Sequence, residues 1–206
     1  MNGDGTPTPV PASTIAPLKV AFLGDSYMSG AATSAPEQRW TARLSAANGW
    51  AEINAGVGAT GYATAGGEPN ARPYAERTVD IVAAAPDVVI VSGGRFDYLG
   101  SSSVTTVSAA IVATFSELRA GLPQAKIIAI SPLWGTSEPP TRLAEIGTEV
   151  RAAVEAAGGS YVDILQPLEA RTHVLAADGV SPNDAGHAIL LEAIRPSVES
   201  LVNATP

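Results

Sequence analysis

The chain has 206 residues, enough for one domain with a substantial core. Hydrophobic residues make up 46% and charged residues 16%, the balance of a globular chain rather than a disordered one. The net charge of -8, with Lys19 and Lys126 as the only lysines, argues against binding nucleic acid or an anionic membrane. The lack of cysteine excludes disulfides and thiolate metal sites, and two histidines, His173 and His187, exclude a histidine-rich one.

Taken in order, Met1–Gly5 has neither a basic region nor a following apolar one, so it does not read as a signal peptide. Residues 1–17 read as a Pro/Thr-rich tail and 18–206 as one domain. No stretch is long and apolar enough to span a bilayer. Lys19–Leu23 is the first predicted strand, and Glu37–Ala47 a helix stopped by Asn48-Gly49. Ala51–Asn54 is a second strand, Gly56–Gly67 a glycine-rich loop, and Tyr74–Ala84 a helix. Asp87–Val91 has the β-branched run of a strand buried on both faces. Ser102–Ala120 is a helix with Val104, Val107, Ile111, Phe115 and Leu118 at core spacing. Lys126–Ile130 is the fourth strand. Thr141–Ala157 is a helix turning Leu143, Ile146, Val150 and Val154 inward. Tyr161–Ile164 is a fifth strand, and Asn183–Val202 the last helix.

Strict alternation of strand and helix predicts a parallel five-stranded sheet covered on both faces, a three-layer α/β/α sandwich with a flavodoxin-like layout. In such a sheet, ligands bind beyond the carboxyl ends of the strands. The first strand runs straight into Gly24-Asp25-Ser26, which puts a serine hydroxyl at that edge.

Four ordered blocks between Lys19 and Leu201 resemble the SGNH (GDSL-type) hydrolase family: Gly24-Asp25-Ser26, Asn54-Ala55-Gly56, Gly94-Arg95-Phe96-Asp97 and Asp178-Gly179-Val180-Ser181-Pro182. The resemblance implies a serine esterase or acetylesterase of the same fold, needing no metal and no cofactor and acting on a small-molecule or carbohydrate ester. Ser26 takes the place of the nucleophile, Asp178 that of the residue orienting the base, and Gly56 and Ser26 those of backbone oxyanion donors. Two positions depart from the family pattern. Phe96 stands where the family has an asparagine whose side chain donates to the oxyanion, and Ser181 stands where it has the catalytic histidine.

A serine hydroxyl needs an adjacent base to attack an ester, and the side chain of Ser181 accepts no proton at useful pH. Losing one oxyanion donor costs roughly 3–4 kcal/mol, and losing a triad base costs about 10⁶ in kcat. The resemblance therefore leaves two readings: an ester hydrolase with little activity as it stands, or a pseudoenzyme of the same fold that binds a glycan or acyl ligand or builds an assembly.

Other residues near these blocks have structural readings beside the functional ones. His187 reads as a local cap or packing residue of the last helix. His173 reads as a surface-loop histidine, with a role as replacement base as the alternative. Asp97 reads as a holder of its loop, and as a base only if burial raises its pKa. Arg95 reads as solvent-exposed or ion-paired near the mouth of the site, and Trp134 as pocket wall or core rather than a sugar platform.

Overall fold

The computed structural model describes residues 16–67 and 71–204. The predicted tail lies outside the described residues except for Ala16 and Pro17. Five parallel strands form one sheet: β1 (Lys19–Gly24), β2 (Ala51–Gly56), β3 (Val88–Ser92), β4 (Lys126–Ile130) and β5 (Ser160–Val162). Their order is β2-β1-β3-β4-β5, the flavodoxin-like order in which the connections reverse direction between β1 and β3. Register is level at the carboxyl edge: Gly24 pairs with Gly56 on one side and Ser92 on the other, Ser92 with Ile130, and Ile130 with Val162.

Side-chain alternation along the strands splits the core into two layers. Val20, Phe22, Val88, Ile90, Ile128 and Ile130 pack against α2 (Trp40–Asn48) and α7 (Asp184–Asn203). Ala21, Leu23, Val89, Val91, Ile127 and Ala129 pack against α3 (Tyr74–Ala84), α5 (Val104–Gly121) and α6 (Thr141–Ala156). The predicted three-layer sandwich with a five-stranded parallel sheet is the observed fold.

Differences from the sequence reading have local causes. The helix expected from Glu37 is a 3-10 turn, Pro36–Gln38, followed by α2 after an extended Arg39. The break frees the Trp40 N–H, which donates to the imidazole of His187. Gly49 ends α2 in the left-handed conformation (φ 66°) that glycine adopts without steric cost. Val104, expected in the core, is 58% exposed; it is the first residue of α5, which Ser103 caps by accepting the Thr106 N–H. The β5 ladder stops at Val162, since the Ile164 N–H goes to the Ser131 hydroxyl instead of a strand carbonyl. Asn183 is the cap of α7 rather than its first residue, accepting from the Ala185 and Gly186 N–H groups. Two one-turn helices, α1 (Ser26–Ser29) and α4 (Arg95–Leu99), lie where loops were expected; four or five residues are too few to show a helical period.

Candidate active site

In open α/β sheets ligands bind in the crevice outside the carboxyl ends of the strands at a switch point, which here lies between β1 and β3. Ser26 follows β1 as the first residue of α1, Gly56 closes β2, Phe96 lies in α4 just beyond β3, and Trp134 follows β4. His173, Asp178 and Ser181 lie in the segment between β5 and α7.

Ser26 is buried, 4% exposed, and its hydroxyl has no hydrogen-bond partner among the described residues. Asp25, also buried, caps α1 by accepting the Tyr27 N–H at 2.9 Å. Burial pushes the Asp25 carboxyl up to about 6, against the Tyr27 N–H and the charges of Arg95 and Arg77, which pull it down. Gly56 is in close quarters: a Cβ on it would lie 2.3 Å from the Ser29 nitrogen, so the missing side chain is what lets α1 rest on β2. Its N–H, expected to face an oxyanion, instead donates to Asn54 Oδ1 at 2.9 Å. This Asx turn follows from the sequence order Asn-Ala-Gly, which places the amide oxygen two residues before the N–H. The Asn54 amide nitrogen in turn donates to the Met28 carbonyl, fastening β2 to α1.

Around Phe96, both neighbours are tied down. Asp97 is buried and receives the Tyr62 and Ala63 N–H groups, each at 2.8 Å, and the Thr64 hydroxyl at 3.2 Å. Burial raises its pKa while these donors oppose the shift. With both oxygens occupied, Asp97 holds the loop after β2, the structural reading of the two. Arg95 is neither freely exposed nor ion-paired among the described residues, which corrects the expectation for it. Its guanidinium lies over the Trp134 ring (4.7 Å to the centroid), donates to the Trp134 carbonyl and reaches the Tyr27 hydroxyl at 3.5 Å. Aromatic and carbonyl contacts take the place of a carboxylate partner. Trp134 is half-buried between Arg95 and the edge-on ring of Tyr98 (5.2 Å).

The segment before α7 folds back on itself, with Leu175 bridged to Pro182 and the Ala176 N–H donating to the Ser181 carbonyl. At its tip, exposed Asp178 accepts the Val180 and Ser181 N–H groups through Oδ1, both at 2.9 Å, and these bonds hold its pKa below the ordinary value. The Ser181 side chain is buried. The charge of Arg95 acts on both Asp25 and Asp178, and both carboxylates act on the Tyr27 phenol, so these four groups share one electrostatic neighbourhood.

Neither imidazole joins it. His173 is exposed, with a strained left-handed backbone (φ 63°) whose carbonyl accepts from the Asn183 amide. His187 is fully buried in the layer of α2 and α7, where Nδ1 accepts the Trp40 N–H at 3.3 Å. Burial lowers its pKa to about 4.

Sequence reading missed Asn54, Tyr74 and Arg77. A signal for Arg77 was present: Tyr74, Arg77, Thr78 and Ile81 sit at i, i+3, i+4 and i+7, an arginine on the face that α3 turns to the core.

Among the described residues, no group of three or more His, Asp or Glu side chains is arranged to hold a metal ion, and no helix is long and apolar enough to cross a membrane.

Comparison with known proteins agrees with this architecture. The chain is 31% identical over 189 residues to a GDSL lipase of Mycobacterium tuberculosis, covering 87% of this chain and 80% of that protein. Its fold is similar to the psychrotrophic esterase EstA from Pseudoalteromonas sp. (TM-score 0.72, 15% identity, 90% of this chain and 99% of that one). It is also similar to a family two carbohydrate esterase from Clostridium thermocellum solved in complex with cellohexaose (TM-score 0.67, 18% identity, 96% of this chain and 66% of that one). The profile of the GDSL-like Lipase/Acylhydrolase family matches residues 22–189, and the chain belongs to that family.

Proposed function

We propose that the protein is an ester hydrolase of this family whose site, centred on Ser26 as nucleophile, is impaired for turnover. One observation carries the reading: the Ser26 hydroxyl is buried without a hydrogen-bond partner among the described residues, while the His187 imidazole is engaged by the Trp40 N–H and His173 is exposed. A nucleophilic serine needs a base within hydrogen-bond reach. Ser181 stands at the position of the family histidine and Phe96 at that of the amide donor. The Gly56 N–H would have to leave Asn54 Oδ1 before it could donate to an oxyanion. The substrate class supported by the relatives is a small-molecule or carbohydrate ester.

The second reading is a pseudoenzyme that binds a glycan or acyl ligand in the same crevice, or serves as part of an assembly. The engaged Gly56 N–H favours it, because a donor already bonded to Asn54 Oδ1 is not preorganised for an oxyanion.

Hydrolysis of p-nitrophenyl acetate by the chain, its Ser26→Ala variant and the Phe96→Asn/Ser181→His double variant tests the assignment. The chain is expected to show no Ser26-dependent rate and the double variant to acquire one. A rate in the ordinary range of roughly 1–10³ s⁻¹ in the unaltered chain, lost on Ser26→Ala, overturns the impairment. A silent double variant overturns the nucleophile role and leaves the binding reading.

A further inference from the structure

We propose that Arg77 is a positioning residue for the Ser26 site, its single buried guanidinium clamping the loops after β1 and β2 into a fixed relation. This rests on the reading of Ser26 as nucleophile. Arg77 sits on α3, only 4% exposed. It donates to the carbonyl of Ala55, to the carbonyl of Gly24 at 3.2 Å and to the Thr60 hydroxyl at 2.9 Å. Gly24 is the last residue of β1, two before Ser26. Ala55 is the penultimate residue of β2, and Thr60 lies in the loop that follows. The Gly24 carbonyl also accepts the Val57 N–H at 3.0 Å, so both loops meet on one oxygen that Arg77 holds. One turn earlier on α3, the Tyr74 hydroxyl donates to the Ser92 carbonyl at 3.2 Å, and its ring lies 5.0 Å from the Arg77 guanidinium carbon. One helix thus fastens the carboxyl ends of β1, β2 and β3, the strands that flank the switch point.

The fork geometry explains why this residue is an arginine. A planar guanidinium donates to three acceptors in fixed directions, whereas an ammonium is a compact point charge. A buried cation is costly unless it is paired and hydrogen-bonded. Here three oxygens, the Tyr74 ring face and the nearby Asp25 carboxylate answer it. Asp25 is faced in turn by Arg77, Arg95 and Asp97 and by the Tyr27 N–H, so removing Arg77 takes away one of two cations that favour its ionised form.

The test combines two measurements on Arg77→Met and Arg77→Lys, with thermal melts to establish the folded fraction. In the full chain, carbon NMR titration of Asp25 is expected to show its midpoint rising in Arg77→Met and staying near the parent value in Arg77→Lys, which keeps the charge. In the Phe96→Asn/Ser181→His background, Arg77→Met is expected to lower kcat by about 10² with little change in KM. That is the scale of loss from a displacement near 1 Å at a reacting group. Arg77→Lys, charged but without the fork, is expected to fall between. An unchanged Asp25 midpoint in Arg77→Met, or a loss of rate no greater than the loss of folded protein, overturns the inference. If the background variant shows no Ser26-dependent rate, the nucleophile reading fails by itself, and the Asp25 titration alone decides whether Arg77 governs the turn.

Discussion

His187 Nδ1 accepts the backbone N–H of Trp40 at 3.3 Å, joining the first turn of α7 to the first residue of α2. The bond makes Nδ1 the acceptor, so the proton of the neutral ring is on Nε2, which is buried without a partner among the described residues. A second proton would have to enter a desolvated site beside Arg39 and Arg43, with Asp184 the one opposing charge. The chain's buried histidine is thus a structural acceptor, already engaged by the Trp40 N–H.

Stability therefore depends on pH through His187. Its folded pKa of about 4 lies below the 6.5 of an exposed imidazole, so the unfolded chain takes up the proton first as pH falls. The contribution is fully present above 6.5 and is lost by about pH 4, amounting to about 3 kcal/mol at most. Urea unfolding of the parent and of His187→Asn, which keeps an acceptor for the Trp40 N–H, should show a stability difference that shrinks across this interval. A difference that stays constant with pH would place the ring in a solvated setting.

Asp25 works in the opposite direction. Its folded pKa of about 6 lies above the ordinary 3.8, so the ionised carboxylate weakens the fold above pH 6, and the cost disappears as pH falls toward 3.8. Asp25→Asn keeps the cap on the Tyr27 N–H and removes the desolvated charge. It should raise stability at pH 8 by up to about 3 kcal/mol and change little near pH 3.5. The two groups oppose one another between pH 4 and 6, so the parent's own profile there should be flatter than that of either variant.

Asp97→Ala should be among the more damaging substitutions at the carboxyl edge. It leaves the Tyr62 and Ala63 N–H groups without their acceptor, while the Thr64 hydroxyl keeps the Phe96 carbonyl. Orphaning buried donors of this kind costs about 1–3 kcal/mol each. A loss of about 2–4 kcal/mol in urea unfolding, with the folded far-ultraviolet spectrum kept, is the expected result. A loss below about 0.5 kcal/mol would mean that the loop after β2 finds other acceptors.

Particular residues show what could be read without coordinates. The run Val88-Val89-Ile90-Val91 announced a strand buried on both faces, and every residue of it is buried. Leu143, Ile146, Val150 and Val154 announced the inward face of α6, and all four are buried. These signals are legible because burial repeats at the period of the element. The site was legible only as an order of blocks along the chain. That the Gly56 N–H turns to Asn54, that Arg95 lies on Trp134, and that Arg77 holds Gly24 and Ala55 depend on single hydrogen bonds between loops, which leave no period in the sequence. The α3 arginine came nearest to being readable, as a charge at a core-facing position.

If Ser181 stands for the family histidine, free imidazole should substitute for its ring. A serine occupies less volume than a histidine, and Ser181 is buried beside a turn whose Asp178 Oδ1 already receives two backbone N–H groups. If Ser26 is the nucleophile, free imidazole entering beside Ser181 can accept the Ser26 proton and donate its other N–H to the Asp178 carboxylate in competition with the Ser181 hydroxyl. Phe96 still denies a third donor to the oxyanion, so rescue in the unaltered chain should be slight and rescue in Phe96→Asn larger, by about 10²–10³ if the restored amide contributes as such donors usually do. Ser181→His alone should recover less activity than the double variant for the same reason. Esterase rate measured against imidazole concentration should saturate and disappear on Ser26→Ala. A linear dependence that survives Ser26→Ala is solution catalysis by imidazole, and in Phe96→Asn it would show that this crevice is not a disabled triad.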